Sequence, residues 1–228
     1  TWLDDVEVSA GTLILIRDLT ELRDRDRQLV TKDATIREIH HRVKNNLQTV
    51  AALLRLQSRR MSNSDAKDAL KQAMGRVSAI AVVHEILSQN FEEQVAFDEV
   101  ADRILHMVGD VAASSGSVVA RREGSFGEVP AETATALSLA TTELCQNAIE
   151  HSLDSSSGNV IVRPHRTDDA LVVDIVSDGK PLPEGFSLDN HRSSLGLSIV
   201  TTLMQDLGGT FTLEDNSDRV GTCARLVI

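Results

Sequence analysis

Two histidines, His40 and His41, stand side by side in IREIHHRVKNNLQTV (36–50). Apolar residues recur there at 36, 39, 43, 47, 50 and 54, spacings of three and four that predict a helix. At about 100° per residue, His40 falls within about 60° of Ile36, Val43 and Leu47, whereas His41 points nearly opposite Val43. His41 therefore faces water, beside Arg37, Glu38, Lys44, Asn45 and Gln48, where a ring nitrogen can reach an external reagent. Neighbouring positions diverge on a helix, so the two rings cannot share one metal ion. Taken alone, they read as ordinary polar residues.

A second set of residues changes that. TTELCQNAIEHS (141–152) puts Glu143 and Asn147 on one helical face, with Glu150 and His151 following. An acid and an amide so placed suit a hydrated magnesium ion that carries phosphate oxygens, since magnesium takes few protein ligands. SDGKPLPEG (177–185) then ends a strand in a glycine-bearing turn. SSLGLSIV (193–200) opens a helix with a glycine, where backbone amides and the helix dipole attract an anion. Alone, LGLSIV is more often a packing glycine. The ordered series of asparagine helix, glycine turn, long loop and glycine-opened helix is specific.

The elements that must position these residues follow from texture. Residues 5–17 alternate and then run apolar, like the last hairpin of a β-domain whose remainder is missing, so the chain reads as a piece of something longer. From about Asp18 a charge-rich helical pattern runs to about Arg60, and MSNSD (61–65) offers a turn. A second helix carries the four-three seam Ala66, Leu70, Ala73, Val77, Ile80, His84 and Leu87. An antiparallel hairpin with exposed seams is completed by a second copy, which predicts a dimeric four-helix bundle. Beyond the linker SQNFEEQ (88–94) come helices near 98–113 and 131–151, a strand near 117–122, and a hairpin of strands 159–166 and 170–177. A helix at 195–207 capped by LGG and two last strands complete an α/β sandwich. The expected domains are therefore 1–17, 18–92 and 93–228.

A 41% hydrophobic, 25% charged composition is that of a globular chain. The net charge of −11 speaks against a nucleic-acid surface, which needs a positive field. No apolar run approaches the roughly 20 residues that span a bilayer. Cys145 and Cys223 lie in apolar patterns without C-x-x-C spacing, which disfavours disulfides and zinc and suits a reducing cytoplasm.

HHRVKNNLQ, ELCQNAIEHS, SDGKPLPEGF and SLGLSIV resemble the phosphoacceptor, asparagine, first-glycine and second-glycine boxes of bacterial two-component sensor histidine kinases. The double histidine is similar to that of the PdtaS-like subfamily, within the GHKL ATPase superfamily. The resemblance covers about residues 20–228 and implies a phosphotransfer hairpin followed by a Bergerat-type ATP-binding sandwich; the stub resembles the end of a PAS sensor domain. It implies His41 as the phosphoacceptor, with Lys44 and Asn45 completing its motif and Asn45 in the catalytic set. It makes Asn147 the magnesium-holding residue and Glu143 the acid beside it. Nucleotide contacts fall to Ser177, Asp178, Gly179, Leu195, Gly196, Leu197 and Thr222, under a lid over 180–194.

Three positions depart from the family pattern. Arg42 stands where many members carry an acid directly after the histidine, leaving Glu143, Glu38 or water as proton acceptor. Ser177 occupies the place of the aspartate that meets the adenine amino group, with Pro181 replacing a later glycine; strand alternation also points Ser177, not Asp178, inward. Ser194 replaces a lid glycine. The expected activity is ATP- and magnesium-dependent phosphorylation of His41, with transfer to an aspartate of a response regulator receiver domain. The rivals are another GHKL-type ATPase or serine kinase, and a non-catalytic dimeric scaffold. His84, His106, His165 and His191 receive no chemical role.

Overall fold

The computed structural model describes residues 20–88, 94–113, 118–153, 157–188, 195–216 and 220–228, with the backbone alone over 20–34 and at 37, 111 and 113. Residues 1–17, where the sequence predicts a β-stub, residues 89–93 of the expected linker and 189–194 of the expected lid, with His191 and Ser194, lie outside the described residues. The chain divides into two compact units, residues 1–35 and 36–228. All side-chain contacts below belong to the second.

Helix α1 spans Thr20–Arg60 and α2 Ser64–Leu87. Asn63 caps α2, its side-chain oxygen accepting from Ala66 N at 3.2 Å, which turns the MSNSD segment into a helix start. Strand β1 (Gln94–Ala96) leads into α3 (Phe97–Ala113), whose Asp98 and Glu99 lie in its first turn, where the helix dipole favours acids. Then follow β2 (Val118–Arg122), β3 (Glu128–Pro130), α4 (Ala131–Asn147) and a π-helical turn, Ala148–Ser152. The chain ends with β4 (Gly158–Arg166), β5 (Leu171–Ser177), α5 (Leu195–Asp206), β6 (Thr210–Asp215) and β7 (Thr222–Val227).

Five strands form a mixed sheet ordered β2-β4-β5-β7-β6; β2 runs parallel to β4 and the other pairs are antiparallel. The α4 segment supplies the crossover that a parallel pair requires. Along β5 the alternation is strict: Leu171, Val173, Ile175 and Ser177 are buried, so the last inward position is a serine. Helix α4 packs between α3 and α5 over this sheet. Val100, Ile104, Leu137, Leu144, Val200 and Met204 join the inward strand residues in one core.

The expected hairpin followed by an α/β sandwich is thus the architecture found. Two details differ from the sequence reading. The antiparallel pair β1–β3 was not foreseen, because three-residue strands are too short to show alternation. On α2 the buried residues are Ala79, Val83, Ile86 and Leu87, largely displaced from the expected 77, 80, 84 seam. The reason is that α2 lies along α4 and α3 and contributes to the sandwich core, while His84 and Glu85 meet α1.

Candidate active site

His41 is exposed on α1, as the helical wheel requires. Glu38, one turn before it, accepts from Arg42 Nε at 2.8 Å, an exposed i,i+4 pair. Asn45 is exposed one turn after it. His40, by contrast, turns toward α2, and its Nδ1 lies 3.0 Å from Nδ1 of His84, a hydrogen bond in which one ring must be the donor. Partial burial, and then His40 itself, hold the His84 imidazole below its ordinary value. Nearby on α1, Lys44 Nζ donates to Glu85 Oε1 at 3.0 Å. Those two contacts set the rotation of α1 against α2 and leave His41, about 100° further round than His40, in solvent.

The asparagine helix presents the opposite surroundings. Glu143 is 2% exposed, yet charged partners reach it: Arg76 of α2 donates Nε to Oε1 at 2.6 Å and Nη2 to Oε2 at 2.8 Å. The carboxylate holds the Arg76 guanidinium above its ordinary value. A side chain on Gly196, in the first turn of α5, would begin 2.7 Å from Glu143 Oε2 and about as far as van der Waals contact from the Asn147 amide, at 3.6 and 3.7 Å. Glu143, Asn147 and the opening of α5 therefore converge, and a side chain at 196 would have to displace the end of Glu143. Asn147 Nδ2 is buried without a hydrogen-bond partner, a state that costs about 1–3 kcal/mol and calls for a ligand. Asn147 also sits where α4 passes into the π-helical turn, a distortion common at functional sites. No acid of α5 itself occupies its first turn, whose backbone N–H groups attract an anion, although the Glu143 carboxylate approaches Gly196 there. An amide, an acid and a helix start fit a magnesium-bound polyphosphate.

At the end of β5 three buried hydroxyls form a hydrogen-bonded cluster. Ser177 Oγ lies 2.8 Å from Ser152 Oγ and 2.9 Å from Thr222 Oγ1, all buried, and Thr222 N donates to Ser177 Oγ at 3.3 Å. The turn beyond is held by Lys180 N donating to Ser152 O at 2.8 Å. A Cβ on Gly179 would collide with the Ser152 carbonyl, and one on Gly221, at φ 136°, with the Ser177 carbonyl. Asp178 points outward from this cluster: Asn159 N donates to its Oδ1 at 2.7 Å and Asn159 Nδ2 to its Oδ2 at 2.6 Å. Partial desolvation pushes that carboxyl upward, but the Asn159 donors outweigh it and hold it below the ordinary range. The turn has not slipped, so Ser177 rather than Asp178 faces inward. Leu197 is buried behind Gly196, while Leu195 is exposed.

Residues 38–112 match the family model described as histidine kinase, and residues 111–228, just over half of the chain, match the one described as histidine kinase-like ATPase domain. The chain belongs to the histidine kinases. The sensor histidine kinase PdtaS of Mycobacterium tuberculosis is 51% identical over 214 residues, 92% of this chain but 42% of that protein. PdtaS of Mycolicibacterium smegmatis is 50% identical over 210 residues, 91% of this chain and again 42% of the relative. The chain thus spans less than half the length of these curated relatives. Among solved structures, the histidine kinase domain from the Erythrobacter litoralis EL346 blue-light activated histidine kinase is similar at 25% identity with a TM-score of 0.60, covering 90% of this chain and 94% of that one. Among the described residues no helix is long and apolar enough to cross a membrane.

This histidine kinase chain keeps the order of boxes read from its sequence, and the fold brings Glu143, Asn147 and Gly196 together and Ser177 to Thr222. Sequence reasoning missed Arg76, Ser152, Asn159 and the His40–His84 bond. Each is a contact between residues 25 to 67 positions apart or, for Asn159, 19, and no local pattern signals it. The two cysteines are free, and burial pushes the Cys145 thiol up to about 12, an inert packing residue on α4.

Proposed function

We propose that this chain phosphorylates itself on His41 at the expense of ATP, with magnesium, and passes the phosphoryl group to an aspartate of a response regulator receiver domain. The single observation that carries this reading is the buried, unpartnered Asn147 amide beside Glu143 and Gly196, in a chain that also holds the His41 imidazole out in water. Bound magnesium would draw charge off the phosphate oxygens. Asn147 and the N–H groups at the start of α5 bind and orient the triphosphate, and the sandwich core holds them rigid. The lone pair of a neutral His41 ring nitrogen forms the N–P bond as the bond from the γ-phosphorus to the ADP oxygen breaks. The proton on the other ring nitrogen then passes to a base. Glu38, one turn away and exposed, gives Oε1 to Arg42 and keeps Oε2 for it in the arrangement observed, whereas both oxygens of Glu143 accept from Arg76.

A second copy of the chain is the proposed partner for α1, where Ile36, Ile39, Val50, Leu53 and Leu56 leave an exposed apolar stripe. The receiver domain would dock on the polar face around His41. The hydroxyls of Ser177 and Thr222 would line the base site in place of an aspartate, and the domains proposed are 18–92 for the hairpin and 93–228 for ATP binding.

The test is incubation with γ-labelled ATP and magnesium. An acid-labile, alkali-stable label is expected, lost in His41→Gln and Asn147→Asp and surviving in His40→Gln. An acid-stable label, or free phosphate alone, would assign the chain to another reaction of the same ATPase fold. No binding of a magnesium–nucleotide would leave a scaffold.

A further inference from the structure

We propose that the Arg76–Glu143 pair is an autoinhibitory latch, by which the histidine-bearing hairpin clamps the asparagine helix at rest and which opposes binding of a magnesium–nucleotide at Asn147. This rests on the kinase reading above and concerns the regulation of that same site.

The contact is a seam along one stripe of each helix. Glu143, Gln146 and Glu150 recur at three and four residues on α4 and its π-helical turn, and Gln72, Gly75 and Arg76 face them from α2. Gly75 allows the close approach: a Cβ there would lie 2.5 Å from Gln146 Nε2. Gln72 Nε2 lies 3.3 Å from Glu150 Oε2 at the exposed end. At the buried end one guanidinium occupies both oxygens of Glu143 in the bidentate geometry that makes such pairs strong and directional.

Glu143 borders two surfaces at once. Its Oε2 lies against Gly196, at the anion-attracting start of α5, and next to the unpartnered Asn147 amide. A buried carboxylate cannot stand without a positive partner, since breaking such a pair from one side is strongly destabilising. In the arrangement observed that partner is Arg76, and a dication seated at Asn147 would supply the charge instead. The two cations thus compete for one carboxylate. While Arg76 holds it, both Glu143 oxygens already accept a charge-assisted hydrogen bond and are weaker acceptors for a proton or a metal-bound water, and α2 is seated on α4. The His40–His84 and Lys44–Glu85 contacts tie α1 to α2, so His41 is carried with the clamped hairpin. Arg103 of α3 also reaches Glu85 at 3.4 Å, but that contact is partly exposed and secondary. Because coupling is reciprocal, whatever the latch takes from nucleotide affinity, nucleotide takes from the latch.

The test uses this whole chain. Binding of a magnesium–ATP analogue is titrated by calorimetry, and the initial rate of labelling from γ-labelled ATP is measured, for the wild type, Arg76→Gln and Arg76→Lys. Arg76→Gln is expected to bind about tenfold more tightly and label about tenfold faster, inside the roughly 5- to 150-fold range of such couplings. Arg76→Lys falls between, because an ammonium keeps the charge without the fork. A wild type that never labels His41 would remove the kinase reading itself. A wild type that labels, with an Arg76→Gln variant that binds no tighter and labels no faster, overturns the latch alone, and slower labelling overturns it too by placing Arg76 in the machinery. If Arg76→Gln does not fold, hydrogen exchange on the wild type decides: amides of residues 72–80 should exchange faster once the analogue is added, and unchanged exchange overturns the proposal.

Discussion

On α1 the residues that carry chemistry stand in water. His41, Glu38 and Asn45 are exposed, their neighbours are long polar side chains, and their pairings are i,i+4 contacts worth a few tenths of a kcal/mol. On α4 they are turned into the protein, Glu143 buried and Asn147 half-buried. Glu143 is sealed under Arg76, Asn147 ends the helix with an unmet donor, and Ser138, Thr141 and Thr142 share the core with Leu137 and Leu144. The two helices differ because their roles differ. A group that must meet a reagent from outside is mounted on a surface, and a receptacle that must hold a polyphosphate in register is built into a core. Loss of function and loss of stability should therefore separate cleanly between the two helices.

The largest effect should come from hollowing the receptacle. Leu137→Ala, at a position with no solvent exposure directly within α4, is expected to cost about 3 kcal/mol, read as a lowered urea midpoint with an unchanged slope. If it costs less than about 1 kcal/mol, α4 is not the rigid element described. A smaller effect is expected from acid on the hairpin. The folded protein holds His84 neutral, below the ordinary histidine value of about 6.5, so the unfolded chain binds the extra proton first. Stability should be fully present above about pH 6.5 and fall as the pH drops through the lowered folded value. His84→Asn should flatten that acid-side slope; an unchanged slope would assign it to other groups. The smallest effect belongs to the residue that matters most for chemistry. His41→Gln, which should abolish labelling, is expected to leave the urea midpoint within about 0.5 kcal/mol of the wild type. A large loss of stability there would place the ring in packing and dissolve the contrast.

Much of this molecule was legible in one sequence because its helices and strands are long and periodic. The four-three spacing around His40 and His41 assigned one ring to the seam and the other to solvent. The alternation through Val173 and Ile175 put Ser177 inside and Asp178 outside. Where the pattern was shorter than its own period, as in β1 and β3, it was silent. Where a helix serves two partners it misled: α2 has one stripe for α1 and another for α4, and a single four-three reading shows only one.

What the sequence by itself determined is which residues share a face, since that depends only on the pitch of a helix or the pleat of a strand. Glu143 with Asn147, His41 apart from His40, and Ser177 apart from Asp178 all follow from it. What only the tertiary structure decided is which faces meet. Arg76 reaches Glu143 across 67 residues, His40 meets His84 across 44, and the Ser177 hydroxyl closes on Ser152 and Thr222. Such pairings arise when whole apolar surfaces bury against one another and bring distant polar groups within hydrogen-bonding distance, and nothing in the local order of residues encodes the distance across a core.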